Sequence, residues 1–160
     1  EEERITSRNR LKEIEAEMGF QMLNNENVQL ENGGEIIDLI GVENWGDSFR
    51  RSGDLDAAMV GTDPNRFQIL MSHDPSHFVK KVSGQTPINL TLSGHTHGMQ
   101  FGMEIPFLNF KWSPVKLKYK YWDGLYAEGP QNIYVNRGFG FLGFPGRVGM
   151  WPEITCLELV

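Results

Sequence analysis

A mixed α/β fold is what this sequence predicts, and three observations carry the prediction. First, two short apolar runs, residues 67–71 and 90–93, end abruptly in histidine: His73 after one, His95 and His97 after the other. Second, helix signals stand before and between them, a charged amphipathic stretch at residues 6–18 and the pair Asp74-Pro75. Third, Asn32-Gly33-Gly34 separates two further apolar runs, which is the composition of a tight hairpin turn, so part of the sheet is antiparallel.

Taken in order, residues 6–18 read as a helix with an apolar stripe of Ile5, Leu11, Ile14 and Met18, stopped by Gly19, with Glu1 to Glu3 favouring its positive end. Residues 21–23 and 28–31 are expected strands. Residues 35–42 form the return strand, where Ile36, Ile37, Leu39 and Ile40 are dense enough to be covered on both faces. The chain leaves the sheet around Asn44-Trp45-Gly46-Asp47, and Asp54 opens a short helix through Ala57, Ala58 and Met59. We read Asp54 as that helix's cap rather than a ligand. After the strand at 67–71, Asp74 caps and Pro75 starts a helix that carries His77 on its first turn, at the surface near the site. Residues 132–135 alternate as a strand, a glycine-rich loop follows through Gly138, Gly140, Gly143 and Gly146, and residues 153–160 close the domain as a strand.

All four histidines lie between positions 73 and 97. Neutral imidazole is the commonest protein metal ligand, and open α/β sheets hold their ligands at the carboxyl ends of strands. His73, His95 and His97 are therefore the candidate metal ligands. Beyond them, Asn136, Arg137 and Arg147 flank the glycine-rich loop, where backbone can approach a ligand closely and guanidinium groups can grip phosphate in pairs of bonds. No helix pattern follows that loop, so it is not a dinucleotide fingerprint.

Composition narrows the class. At 160 residues and 39% apolar content the chain suits one domain with a real core. Carboxylates outnumber Lys plus Arg by 21 to 15, which argues against a nucleic-acid partner. The imbalance is local: residues 1–60 hold 14 acids and 6 bases, residues 61–160 hold 7 and 9, so the histidine half tolerates a phosphate-bearing ligand better. Cys156 stands alone, which excludes an internal disulfide and a cysteine-built zinc site. No run approaches the roughly 20 apolar residues of a spanning helix, and the acidic start does not read as a signal peptide, so a soluble chain is expected. Residues 99–126 interleave many aromatic and aliphatic residues with Lys111, Lys116, Lys118 and Lys120 without a clean period. Two readings stand for it: an irregular insert packed on the core, or a basic aromatic surface for a lipid or membrane interface.

Leu70-Met71-Ser72-His73-Asp74-Pro75, Leu92-Ser93-Gly94-His95-Thr96-His97-Gly98, and the ending from Val135-Asn136-Arg137-Gly138-Phe139-Gly140 through Arg147 to Pro152-Glu153-Ile154-Thr155 together resemble the calcineurin-like metallophosphoesterases. The narrower likeness is to the bacterial branch that includes membrane-associated UDP-diacylglucosamine hydrolases. The resemblance implies an α/β/β/α sandwich of which this chain is the C-terminal half, a mixed sheet with flanking helices. It implies His73 and His95 on one metal of a dinuclear pair and His97 on the other, hydrolysis of a phosphodiester or pyrophosphate, a phosphorylated small-molecule or lipid substrate, and a membrane-associated parent protein. The family's Asp-X-His, Gly-Asp and Gly-Asn-His elements are absent here; Gly53-Asp54 mimics the second but lies too late in the order to replace it, and Met99 stands where the pattern carries a second glycine.

Three neutral imidazoles cannot offset two divalent charges, so one weakly held ion or none is expected in this chain, against two in a complete enzyme. Zn2+ suits the ligand type, with Mn2+ or Fe preferred once carboxylates join. The rival reading is a non-catalytic metal- or lipid-binding module. The strands would also leave an apolar sheet face bare, to be covered by self-association or by residues 99–126 folded back.

Overall fold

The computed structural model describes residues 2–46, 52–108 and 110–159, and of residues 2–6 and 8 the backbone only. Helix α1 spans Glu2–Glu17, and the chain turns out of it at Gly19, φ 87°. Its expected stripe is not buried: Leu11, Ile14 and Met18 are exposed, and the helix is tied to the body by the Lys12–Glu43 ion pair at 3.1 Å. The side chains of Glu1, Ile5 and Asp47, which also entered the sequence reading, lie outside the described residues.

Strands β1 (Glu26–Asn32) and β2 (Glu35–Gly41) form the expected hairpin, closing with Asn32 opposite Glu35. The two turn residues, Gly33 and Gly34, have φ of 61° and 88°, the left-handed pair that the favoured two-residue hairpin turn requires. Helix α2 (Leu55–Ala58) follows, and the Asp54 carboxylate accepts from the Ala57 N–H at 3.0 Å, so Asp54 is a cap. Then come β3 (Phe67–Met71), a π-helical turn at Phe78–Val82, and β4 (Leu90–Ser93). The stretch after the histidines holds β5 (Met103–Ile105), β6 (Phe110–Trp112) and a 3-10 turn at Pro114–Leu117. Strands β7 (Gly124–Glu128) and β8 (Gln131–Val135) complete the order.

One six-stranded mixed sheet runs β1-β2-β3-β4-β8-β7, with β2, β3, β4 and β8 parallel and an antiparallel strand at each edge; β5 and β6 pair by themselves. Side chains alternate across it. One face sends Ile40, Leu70, Ile133 and Val135 into a fully buried core with Ala58, Phe78, Val82, Ile88 and Tyr121. The opposite face carries Ile37, Leu39, Phe67, Ile69, Met71, Leu90 and Leu92 and is covered unevenly: Ile69 and Leu90 are buried, Ile37, Leu39 and Leu92 half-buried, and Phe67 and Met71 40% and 37% exposed. On β2 itself Ile40 is fully buried on the first face while Ile37 and Leu39 on the second are half-buried, so the reading of this strand as covered on both faces holds fully for one face and in part for the other. A second small core of Val115, Tyr119, Trp122 and Met150 fixes the insert.

Two expected strands do not form. Residues 21–23 run past β2 without a ladder, close enough that a methyl group at Gly41 would collide with Leu23. Residues 153–159 form no strand, because β8 already has β4 on one side and β7 on the other; Glu153 N–H donates instead to the Gly138 carbonyl at 3.0 Å. Among the described residues no helix is long and apolar enough to cross a membrane.

Candidate metal centre

Strands β3 and β4 are parallel neighbours in the register Ile69↔Leu90 and Met71↔Leu92, so their carboxyl ends share one sheet edge. Pairing continues beyond both strands: Ser72 N–H donates to the Leu92 carbonyl and Gly94 N–H to the His73 carbonyl, each at 3.0 Å. His73 and His95 are thereby set side by side. His73 Nε2 lies 3.2 Å from His95 Nδ1, with the rings edge to face at 5.0 Å between centroids. His95 Nε2 points the other way, 2.8 Å from the Tyr119 hydroxyl and 3.8 Å from the buried Asp74 carboxylate.

The turn after β4 is wound left-handed at residues that rarely accept it: φ is 66° at His95, 51° at His97, 56° at Gly98 and Met99, and 55° at Gln100. Each residue with a Cβ in that region costs roughly 1–2 kcal/mol, and such strain persists where its surroundings over-determine it. They do so here. Thr96 Oγ1 donates to the Trp122 carbonyl at 2.8 Å, Ser113 Oγ donates to the Gly98 carbonyl at 2.9 Å, and a Cβ at Gly98 would sit 2.9 Å from Met150 Cε. His97 carries a buried Nδ1 without a hydrogen-bond partner among the described residues, while its carbonyl accepts from Arg147 at 3.1 Å.

Burial, aided by the charge of neighbouring His95, holds His73 below the ordinary histidine pKa, with Asp74 opposing. Burial, Arg147 and His73 do the same to His97. Both shifts favour the neutral, ligating form. Two nitrogens on one zinc ion at Zn–N distances of about 2.0–2.1 Å stand roughly 3.1–3.4 Å apart near tetrahedral angles. The His73–His95 spacing fits that chord. Among the described residues, no group of three His, Cys, Asp or Glu is arranged to hold an ion. The chain thus presents two converging donors, with His97 on the same turn but not joined to them in a three-ligand cluster.

His77 departs from its expected surface position. It is fully buried, stacked on Trp45 at 4.5 Å, with Nδ1 2.8 Å from Ser72 Oγ. Burial, then Lys81, lower its pKa to about 4, with Asp74 opposing. It stands just before the π-helical turn at Phe78–Val82, with ordinary helical dihedrals of φ -60° and ψ -46°.

Asn136, Arg137 and Arg147 do lie at the carboxyl end of β8, beside β4, and each donates within the chain. Arg137 reaches Asp123 and Glu104 at 2.8 Å and Glu153 at 3.2 Å. Although burial opposes its charge, the Glu104 hydrogen bond and the Asp123 charge raise its pKa. Arg147 donates to the carbonyls of His97, Arg137, Gly138 and Gly140 at 2.8–3.2 Å. Asn136 donates to Thr155 Oγ1 at 2.8 Å and accepts from Gly138 N–H at 2.6 Å. These bonds tie loop, insert and histidine turn together.

Sequence reasoning missed Tyr119, Ser113, Asp123, Glu104 and Gln100. Gln100 donates to the Phe144 and Gly146 carbonyls at 3.0 and 2.7 Å and accepts from Leu142 N–H, holding the glycine-rich loop. The usable signal was polar residues inside an apolar stretch, since a buried Asp or Gln needs a partner.

No family model matches the chain, and no solved structure matches it. Curated proteins do. The metallophosphoesterase YkuE of Bacillus subtilis (strain 168) is 42% identical over 93 residues, covering 58% of this chain and 31% of YkuE. Phosphodiesterase YaeI of Escherichia coli (strain K12) is 37% identical over 113 residues, 68% of this chain and 40% of YaeI. A transmembrane protein with metallophosphoesterase domain from Bos taurus is 31% identical over 154 residues, 89% of this chain and 33% of that protein. The chain belongs to the calcineurin-like metallophosphoesterases. Metallophosphoesterases use divalent metal ions for phosphoester hydrolysis, and the mixed α/β architecture with its six-stranded sheet is consistent with their fold. This metallophosphoesterase sequence spans about a third of the length of the first relatives it matches.

Proposed function

We propose that this chain supplies the histidine half of a dinuclear phosphohydrolase site, acting on a phosphodiester or pyrophosphate of a small molecule or lipid. The observation that supports it most is the 3.2 Å approach of His73 Nε2 and His95 Nδ1 at a shared strand edge. His73 and His95 would hold one ion and His97 would reach a second. Divalent ions there supply Lewis acidity and activate water for in-line attack on phosphorus. The chain's own residues orient the imidazoles: the ladder past β3 and β4 spaces them, Thr96 and Ser113 lock the turn, and Arg147 braces the His97 carbonyl. Carboxylate ligands of the kind the family pattern carries would come from outside these 160 residues, and without them the chain alone is inactive.

Metal analysis after dialysis tests this reading. A chain extended to the length of its relatives should retain about two ions and this chain one at most, as a two-metal site demands. Equal, near-zero metal in both would leave the non-catalytic module instead.

A lipid-facing role for the insert has its own support. Phe107 at the β5–β6 turn is 87% exposed, and Leu108, Leu117, Phe139, Phe141 and Leu142 are exposed as well. The bridge from Phe101 to Val148 and the bonds of Gln100 join the insert to the glycine-rich loop, and we take their exposed apolar residues together as one rim. We read this rim as a contact surface for a membrane or a lipid substrate. Pelleting with anionic liposomes tests it: Phe107→Asp should release the chain to the supernatant, and unchanged pelleting would discard the surface.

A further inference from the structure

Tyr119 has no part in the sequence pattern, yet its hydroxyl lies 2.8 Å from His95 Nε2. Its ring meets His95 edge to face at 5.6 Å, and the residue is 9% exposed within the core of Val115, Trp122 and Met150. The carrier is firmly built. Ser113 caps the 3-10 turn at Pro114–Leu117 and also donates to the Gly98 carbonyl, while Tyr119 N–H donates to the Val115 carbonyl at 3.0 Å. The phenol therefore reaches the histidine from an element anchored on the same strained turn.

A neutral imidazole has one N–H and one lone pair, so the contacts of His95 allow two arrangements. Either Nε2–H donates to Tyr119 and the Nδ1 lone pair faces His73, or Nδ1–H faces His73 and Nε2 accepts from the phenol. The Asp74 carboxylate, 3.8 Å from Nε2 and buried, decides between them. Its negative charge attracts a proton on Nε2 and repels a lone pair there. The first arrangement is also the one that leaves Nδ1 able to ligate.

We propose that Tyr119 is a positioning residue for His95: its phenolic oxygen accepts the Nε2 proton, fixing the tautomer and ring plane so that the Nδ1 lone pair faces His73 Nε2. The insert thereby becomes a condition for assembling the metal centre. The inference rests on the metal-centre reading above for its purpose, but not for its geometry.

The test uses this chain labelled with 15N-histidine, and its Tyr119→Phe variant, which keeps the ring in the core and removes only the hydroxyl. Long-range proton–nitrogen correlation at a pH of about 8, above the ordinary histidine pKa of ~6.5, reports the tautomer. Co2+ titration reports affinity, and circular dichroism the fold. The expected result is His95 in the Nε2–H form in the parent chain. In Tyr119→Phe, mixed tautomers and Co2+ binding weaker by roughly tenfold are expected, the low end of what loss of such a partner costs. An Nδ1–H form in the parent chain overturns the proposal. So does Co2+ binding that Tyr119→Phe leaves unchanged, which would keep the metal centre and remove Tyr119 from it. A parent chain that holds no Co2+ but shows a Tyr119-dependent Nε2–H form supports the positioning role; the metal-centre reading is then overturned by near-zero metal in the chain extended to the length of its relatives as well.

Discussion

The two faces of the six-stranded sheet are lined by the same kinds of residue and end in different states. Ile40, Leu70, Ile133 and Val135 are completely buried, whereas on the other side Ile69 and Leu90 are buried but Phe67 and Met71, at the two ends of β3, keep more than a third of their surface in water. Strand alternation dictates both faces equally; what differs is the layer laid over them. Helix α2, the π-helical turn, Ile88 and Tyr121 come from connections that all pack on one side. The insert follows the same rule, sending Tyr121 into the covered core and not across Met71. An apolar sheet face is thus a demand for a partner, and the sequence alone does not say where the partner comes from.

Catalysis is the severest test of whether the open face lacks its partner. This chain, with added Mn2+ or Zn2+, should turn over a generic aryl phosphodiester at no substantial rate, since loss of the general acid alone typically removes about 10² to 10⁴ in rate. Robust turnover abolished by His95→Ala would show a site completed some other way, for instance between two chains. Next in size is packing. Leu70→Ala should lower unfolding stability in urea by about 2–5 kcal/mol, while Met71→Ala, one residue along and on the open face, should cost under ~1 kcal/mol. Equal losses would mean the open face is covered in solution. Light scattering addresses that directly: mass rising with concentration, and reduced by Leu39→Lys, is the expected behaviour of a bare apolar face.

His77 sharpens the comparison from the covered side. Its pKa of about 4 against an ordinary ~6.5 means the unfolded chain binds a proton that the folded chain refuses. Its contribution is therefore full above pH ~6.5 and is lost as pH falls toward 4, by up to ~3 kcal/mol at ~1.4 kcal/mol per unit. The difference between the parent chain and His77→Gln should shrink over that window; a pH-independent difference would place His77 in water. The smallest effect concerns Met99, exposed and left-handed at φ 56°. Met99→Gly should raise thermal stability by up to ~1 kcal/mol, relieved strain slightly exceeding the entropy gained by the unfolded chain.

What could be read from the sequence was whatever a few neighbouring residues decide. The hairpin at Gly33-Gly34, the Asp54 cap and the two strands that end in histidine are local facts, and parallel pairing of β3 with β4 follows from their shared design. What could not be read depends on partners far along the chain. Arg137 is met by Glu104, Asp123 and Glu153 from 33, 14 and 16 positions away. His77 looks exposed on a first helical turn but is buried against Trp45 and Ser72, and residues 153–159 alternate like a strand but find both sides of β8 taken.

Gln100 joins the histidine turn to a loop 42 to 46 residues further on through three backbone bonds, and Arg147 returns the connection to His97 across 50. Both bridges span the whole insert, so the entropy of closing that long segment must be met before either bond can form. The turn that presents His95 and His97 is then among the last parts of the chain to assemble, after β3 and β4 have already paired. It should also be among the first to open, with the amides of Leu142, Gly98 and Met99 exchanging as one cooperative unit ahead of those in β8.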